Sequence, residues 1–511
     1  MKKKTNLRWW GLWAVFSLAL AGVAFAAIDS LDNPKPNAVD LSLRSWLLPG
    51  TTSHGHYQIE LACNECHVSA FPSREDVQET CESCHAADLK AVDDSHPKAK
   101  FTDPRNAERA ARLDATHCVT CHVEHKPDVT HGAGVTLPRD YCVICHKDIA
   151  EERPSHEGMA FNTCTNSGCH NYHDNTALYE DYLVKHADVG RMQDDPKVLE
   201  RDLARIIEEL SEYPYEAYPP NVAVEIPDNG TRLPASEQVH EDFMSTAHAA
   251  AGINCSGCHV PQDQQGKNLS QATWIEKPTQ DNCTQCHGPE VKGFLAGKHG
   301  MRIKSGLPPM TPAQARLPMK ADRAHDELTC TTCHGAHRFD TVKAAVESCQ
   351  SCHNDEHTLA YAGSPHAATV DRVKRGEAAP ETAVTCATCH MPRIAHDTPD
   401  FVRRTLVVHA QGANLNPPVK QARQVCLNCH GLGFAIDALA DETLLRNNFS
   451  GQPARHVASI EMAVTREHEA AAARAAEEAE KARAAAAATP TDSVTPTDPA
   501  TGTPPPEKSS P

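Results

Sequence analysis

The sequence predicts a mainly helical protein with much irregular loop, two cysteine-rich regions and no substantial β-sheet. Three observations lead there. All 22 cysteines fall in one local pattern, around which short helices are expected. Runs that alternate apolar and polar residues, as half-buried strands require, are not convincing in the cysteine-rich regions. Apolar residues make up 40% and aromatics 5% of the 511 residues. That is an underfilled core for this length, so something other than side chains has to fill the interior.

The pattern is Cys-x-x-Cys-His. It occurs at Cys63/Cys66/His67, Cys81/Cys84/His85, Cys118/Cys121/His122, Cys142/Cys145/His146 and Cys255/Cys258/His259. It recurs at Cys283/Cys286/His287, Cys330/Cys333/His334, Cys349/Cys352/His353, Cys386/Cys389/His390 and Cys426/Cys429/His430. A stretched form at Cys164/Cys169/His170 has four intervening residues. This is the attachment pattern of c-type haem: two thiols bind the porphyrin covalently and the histidine reaches the iron. Disulfides or zinc would use paired cysteines too, but neither demands a histidine after every second one. With 31 histidines in 511 residues, eleven coincidences are not credible. The expectation is eleven covalent haems c, large flat apolar bodies that replace a conventional core.

Eleven proximal histidines leave 31 − 11 = 20 others, enough for a second ligand at every iron. A bis-histidine iron is closed, which suits electron transfer and favours low potentials. His96, His156, His248, His299 and His366 have small neighbours that let the backbone approach a porphyrin face, and they are the distal candidates. His125, His173 and His337 lie three residues beyond a proximal histidine, so they more naturally reach a neighbouring haem than their own. His54, His56, His117, His131, His186, His240, His325, His357, His396 and His409 stay open as ligands. His456 and His468 lie toward the tail and read as solvated.

Along the chain, residues 1–28 read as a signal peptide or signal anchor. Lys2, Lys3, Lys4 and Arg8 precede an uncharged apolar run from Trp9 to Ile28. Ala24-Phe25-Ala26 suits cleavage, but the run is long enough to span a bilayer, with Trp9, Trp10 and Trp13 at the interface. The anchor is slightly favoured, and either version sends the body out of the cytoplasm. Residues 29–49 are a spacer. A five-haem region spans 50–189 and closes with a helix from Thr176 toward His186. Residues 190–237 are a helical and proline-rich linker, with Leu199, Leu203, Ile206, Ile207 and Leu210 at helical spacing. A six-haem region spans 238–460. An Ala/Glu/Arg helix without a clear apolar face fills 461–488, and residues 489–511 are Thr/Pro-rich and disordered. The formal charge of −18 argues against nucleic acid as a partner and suits basic patches on redox proteins.

The two halves echo each other. Motifs start at Cys63, Cys81 and Cys118, and again at Cys330, Cys349 and Cys386, with spacings of 18 and 37 against 19 and 37. A duplicated module is expected, with His96 and His366 as equivalent distal ligands.

The chain resembles the multihaem c-type cytochromes. The stretch Ser245-Thr246-Ala247-His248 before Cys255, the run from Cys349 to His366, and Thr385 to Pro392 resemble hydroxylamine oxidoreductase and cytochrome c nitrite reductase relatives. The first region resembles cytochromes c3 and c7. Two catalytic devices of the former families are missing: no motif ends in lysine, and the last tyrosine, Tyr361, precedes the last two motifs. The expected function is electron transfer through eleven c-type haems on the periplasmic side of a bacterial membrane. The expected partners are a quinol-side or soluble donor and a terminal reductase. The alternative is an oxidoreductase acting on a small nitrogen or sulfur compound at one open haem, with the site at Cys164 as the candidate.

Overall fold

The computed structural model describes residues 6–33, 36–69, 72–92, 94, 96–126, 135–137, 142–152, 156, 172–174, 180–190, 212, 214, 216–217, 222–230, 236–397, 403–412 and 419–487. The stretched motif with Cys164, Cys169 and His170 lies outside them, as do His131, the expected linker helix and the Thr/Pro-rich tail.

Helices and loops dominate, as the sequence predicts. The motif itself explains the short ones. Residues three apart share a face of a helical turn, so one turn carries both thiols together with the histidine that follows. One-turn helices run Cys118–Cys121, Val143–His146, Cys255–His259, Cys330–His334 and Cys386–His390. Several start at a cap that the sequence places just before the first cysteine. The Asn254 and Thr385 side chains accept from backbone N–H groups of the turn they open, satisfying donors that a helix start leaves unpaired. Two motifs lie on longer helices. Arg74–Ala91 opens with a reciprocal Ser73/Asp76 cap, and Gln280–Ala296 with Thr279/Asn282. The second is kinked at His287 (φ −112°, ψ 35°), just ahead of Pro289.

The N-terminal helix spans Asn6–Asp32, and its apolar side chains from Trp9 to Ile28 are largely exposed. It abuts a second helix, Ala38–Leu47, which starts at a reciprocal Asn37/Asp40 cap. Arg44 from that helix is buried, with 1% of its surface exposed. Its guanidinium donates to the carbonyls of Ser30, Leu31 and Asn33, and to Leu61 just ahead of the first motif. The end of the apolar helix is thus tied to the first haem region.

One antiparallel hairpin pairs Arg393–Asp397 with Arg403–Val407, with Arg393 opposite Val407. It delivers His409, two residues past its second strand, to the face of Gln280–Ala296. Gly293 and Gly297 make that approach close: a Cβ on Gly297 would stand 2.9 Å from the His409 carbonyl.

The helix expected toward His186 is described over Glu180–His186. It joins an apolar cluster of Leu183, Ala422, Leu427, Leu432, Ala435, Ile436, Leu439 and Ala463. Ala463 belongs to the C-terminal helix Ser459–Ala487. That helix therefore does present apolar residues, Ile460 and Ala463, in its first turns. Arg466 pairs with Glu180 at 2.9 Å. The sequence missed this face because it covers barely two turns of a long polar helix.

Candidate functional site

Ten motif histidines each face a second imidazole. Ring centres are 6.4 Å apart for His67–His125, 5.9 Å for His85–His56, 6.4 Å for His122–His173 and 6.1 Å for His146–His96. In the second region they are 6.0 Å apart for His259–His337, 5.9 Å for His287–His248 and 6.3 Å for His334–His409. The last three are His353–His299 at 6.2 Å, His390–His357 at 6.1 Å and His430–His366 at 6.2 Å. Two imidazoles on opposite sides of one metal, each about 2 Å from it as on other first-row metals, have ring centres roughly 6.2 Å apart. Every pair is set at that separation.

The second nitrogen of several rings fixes which end points inward. Nδ1 of His259 donates to the Ile275 carbonyl at 2.6 Å, His96 to Tyr172 at 2.6 Å, His125 to Gly50 at 2.8 Å and His409 to Val407 at 2.9 Å. His357 donates to Leu445. A carbonyl can only accept, so Nδ1 holds the hydrogen and Nε2 carries the lone pair that a metal would take; in His357 that lone pair accepts from Asn448 Nδ2 at 3.2 Å. Burial and neighbouring histidines push His299 and His390 down to about 4, leaving both neutral, as metal ligation requires. His56 instead faces a carboxylate, with Nδ1 2.6 Å from Glu124. Burial pushes Glu124 up, but hydrogen bonds from His56 and Ser53 outweigh it and hold the carboxyl at about 2.

The paired rings of the second region line one continuous cavity of about 3370 Å³. Shared among six pairs, that is about 560 Å³ each, within the ~300–1,000 Å³ of a small-molecule site. Porphyrin-sized apolar groups fit. His240 and His325 line the same cavity.

The predicted attachment cysteines are not all placed alike. Those of the second region line this cavity, Cys286 and Cys429 included, with one exception, Cys352. Cys352 is buried, 8% exposed, and its carbonyl accepts from Lys320 N–H at 2.8 Å. The segment Pro318–Lys320 runs alongside the motif there, since Met319 bridges His353 and Asn354 N–H donates to the Pro318 carbonyl. Cys145 belongs to the first region and lies apart from the cavity. Its Sγ stands 4.0 Å from the Arg109 carbonyl, against the preceding helix Ala107–Ala110. None of the first region's cysteines lines this cavity, so among the second region's cysteines Cys352 alone stands off the shared wall; Cys164 and Cys169 lie outside the described residues. Attachment at Cys145, Cys169 and Cys352 remains the expectation of their motifs.

Cysteines of consecutive motifs also lie close together. Cys81 is beside Cys118, Cys283 beside Cys330, and Cys349 beside Cys386. Cys66 lies near Cys84, Cys258 near Cys283, Cys333 near Cys349 and Cys352, and Cys389 near Cys426. From the sixth motif to the eleventh, each motif has a cysteine near one of the next in sequence order.

Of the distal candidates, His96, His248, His299 and His366 each face a motif histidine, and His156 sits half-buried between the fourth and fifth motifs. His125, His173 and His337 each face a ring of a different motif from the one they follow. His125 and His337 have left-handed backbones, φ 61° and 65°, costly for a histidine and suited to turning a side chain away from its own segment. His56, His357 and His409, left open by the sequence, also complete pairs. His117 lies between Asp114 and Glu75, and His456 between Asp437 and Glu461. Side-chain placement of His396 and the pairing of His170 lie outside the described residues.

The pairing order repeats in a register different from the expected one. His56 and His248 each stand seven residues before a first motif (Cys63, Cys255) and face the second motif's histidine. His125 and His337 each follow the third motif by three residues and face the first. His96 and His299 each lie between the second and third motifs and face the fourth. His96 therefore corresponds to His299 rather than His366, and Cys63, Cys81, Cys118, Cys142 correspond to Cys255, Cys283, Cys330, Cys349. The similar spacings that suggested the other register reflect motif separations alone, whereas the pairing order reflects the fold. The seven-residue and three-residue offsets are the signal in the sequence that would have found His56.

Comparison with known proteins gives the class. Residues 110–346 match the family model of outer membrane cytochrome MtrC/MtrF-like domains II/IV, and residues 55–147 match cytochrome c3. The chain is a multihaem c-type cytochrome, a class in which haem c is bound covalently. Within that class it is similar to the multiheme cytochrome MtrA of Shewanella baltica (strain OS185), 23% identical over 232 residues. The matched stretch spans 41% of this chain and 66% of that relative, just under two thirds of its length. No solved structure matches the chain.

Proposed function

We propose that the chain carries single electrons through eleven c-type haems, each closed by two histidines, on the outer face of a cytoplasmic membrane to which its N-terminal helix tethers it. The ten ring pairs at 5.9–6.4 Å carry this reading. Haem c, when bound, supplies one-electron iron chemistry. The chain's own residues do the rest. Each imidazole pair would supply both histidine ligands of one haem iron and leave small molecules no coordination site. Backbone carbonyls on Nδ1 hold the rings in orientation, and the nearness of cysteines in successive motifs keeps the sites at short range. The eleventh closed site is assigned to His170 with His156. In the second region the fifth motif's His390 faces His357, which lies between the fourth and fifth motifs, and His156 occupies the same place in the first region.

Ligation and count are tested together. Ferrous protein exposed to carbon monoxide should keep every haem low-spin, and haem-peptide mass should show eleven attachments, those through Cys145, Cys169 and Cys352 among them. A carbon-monoxide-binding fraction in the native protein would instead support a reductase or oxidase with an open haem.

Arg44 favours retention of the N-terminal helix, because it binds the helix's last carbonyls into the haem-bearing body. N-terminal sequencing of the mature protein tests it: a start after Ala26 refutes the tether. The donor is expected on the quinol side or as a soluble cytochrome, and the acceptor as another redox protein. The similarity to MtrA and MtrC/MtrF-like chains supports this.

A further inference from the structure

Among the described residues, the two haem regions meet in two places. One is the apolar cluster that joins Glu180–His186 to the end of the second region, where Gly431, next to His430, approaches Val189. Among the described residues, that contact brings no paired histidine of the first region to the second. The other is polar. Lys298 donates to the carbonyls of His54 and Gly55 at 2.5 and 2.6 Å. Arg302 donates to Gln58 at 3.0 Å, and Arg316 to Thr52 at 2.8 Å. Arg316 also lies over the Tyr57 ring at 4.5 Å. Three cations of the second region thus hold one short stretch of the first.

That stretch carries a ring of one pair, and the residue after Lys298 carries a ring of another. His56 follows Gly55 and faces His85; His299 follows Lys298 and faces His353. One hydrogen bond, from Lys298 Nζ to the Gly55 carbonyl, therefore connects two ligand-bearing backbones. The same side approaches the other ring of the first pair, since the charge of Lys304 reaches His85.

We propose that this contact is the electrical junction of the molecule, passing electrons between the His56/His85 site and the His299/His353 site. This rests on the closed-site reading above. The step is a one-electron exchange: one iron is oxidised as the other is reduced, and no proton or bond moves. Its consequence is a branch. The His353 site is the fourth of six in the second series, so current entering there divides toward the His259 end and the His430 end. A junction at the apolar cluster would instead feed the series from its last site.

The test uses the full-length holoprotein with a photoreductant attached at Val68, which is exposed and adjoins His67. Electrons enter the first site, next to the His85 site. Two trap variants, His337→Met and His366→Met, each replace one ring at an end of the second series; methionine ligation raises the potential, so electrons collect there. A branch predicts that both traps fill after comparable lags. It also predicts that Lys298→Met removes the fast phase at both while Lys298→Arg retains it. Filling of the His366→Met trap first, with the other trap far behind and no effect of Lys298→Met, overturns the junction. Should Lys298→Met unfold, the two traps in the Lys298 background still decide. Carbon monoxide binding at the His85 or His353 site of the unsubstituted chain would overturn the closed-site reading, and the junction with it. Closed sites with end-first filling overturn the junction alone.

Discussion

Replacing Arg44 by methionine should detach the N-terminal helix from the rest of the protein without unfolding either. The side chain is buried, and its fork donates to four backbone carbonyls: Ser30 at 2.9 Å, Leu61 at 2.8 Å, Asn33 at 2.6 Å and Leu31 at 3.3 Å. Hydrogen bonds from a charged donor contribute a net ~1.5–3 kcal/mol each, but such contributions do not add, because released carbonyls recover water. Methionine keeps the apolar stem and removes the donors. A loss of about 3 kcal/mol is therefore expected for the set. At 1.4 kcal/mol per tenfold, that multiplies the undocked population by roughly 10². Cleavage of a transiently opened segment follows the open population when reclosing is fast. Limited proteolysis of detergent-solubilised protein should then cut residues 33–50 roughly 10²-fold faster in Arg44→Met than in the parent. Arg44→Lys should fall between, since it keeps the charge but loses the planar fork. Equal cleavage rates for parent and Arg44→Met would refute the clamp, and with it the structural argument for a retained helix.

Three further substitutions follow from the ring pairs. His357→Ala should open the His390 site, so that one haem equivalent turns high-spin and binds carbon monoxide while the rest keep their low-spin bands. Gly297→Ala places a Cβ 2.9 Å from the His409 carbonyl and 2.7 Å from Gln411 Oε1. The hairpin end must back away, and low-temperature EPR should show a partly high-spin His334 site at an overpacking cost of about 1–3 kcal/mol. Asp441 braces the loop that holds His357, accepting from Ala454 N–H at 2.8 Å and from Thr443 and Leu444. Those backbone hydrogen bonds hold its carboxyl below the usual range. A depressed carboxyl stabilises above its unfolded-state value and loses that contribution as pH falls through the folded one. Acid titration should therefore open the His390 site at low pH, and Asp441→Asn should remove that component of the pH dependence. An identical acid profile in the variant would count against it.

The attachment motifs can be read from the sequence because they are local. A cysteine three residues before another and a histidine directly after it form one helical turn, and Asn254 or Thr385 just ahead caps that turn whatever the rest of the chain does. The underfilled composition was legible too, and the cavity shared by six ring pairs is its counterpart. Which thiols line that cavity was not legible, because the burial of Cys352 depends on how the chain packs around its motif. Distal rings were legible in part. Small neighbours mark His96, His248, His299 and His366, but His357 sits in a short helix, His409 follows a hairpin, and His125 and His337 adopt left-handed backbones. These settings share no local feature, so no local rule finds them together.

The sequence by itself sets the motifs at which haem c is expected to attach, since two thiols and a proximal histidine are contained in a few consecutive residues. Tertiary structure alone decided which second histidine faces each of ten motif histidines, which register the two halves share, and where the described parts of the two regions meet. His259 reaches His337 across 78 residues, and Lys298 reaches Gly55 across 243. Contacts of that separation are set by how helices and loops pack around shared apolar groups, and no motif spacing records them.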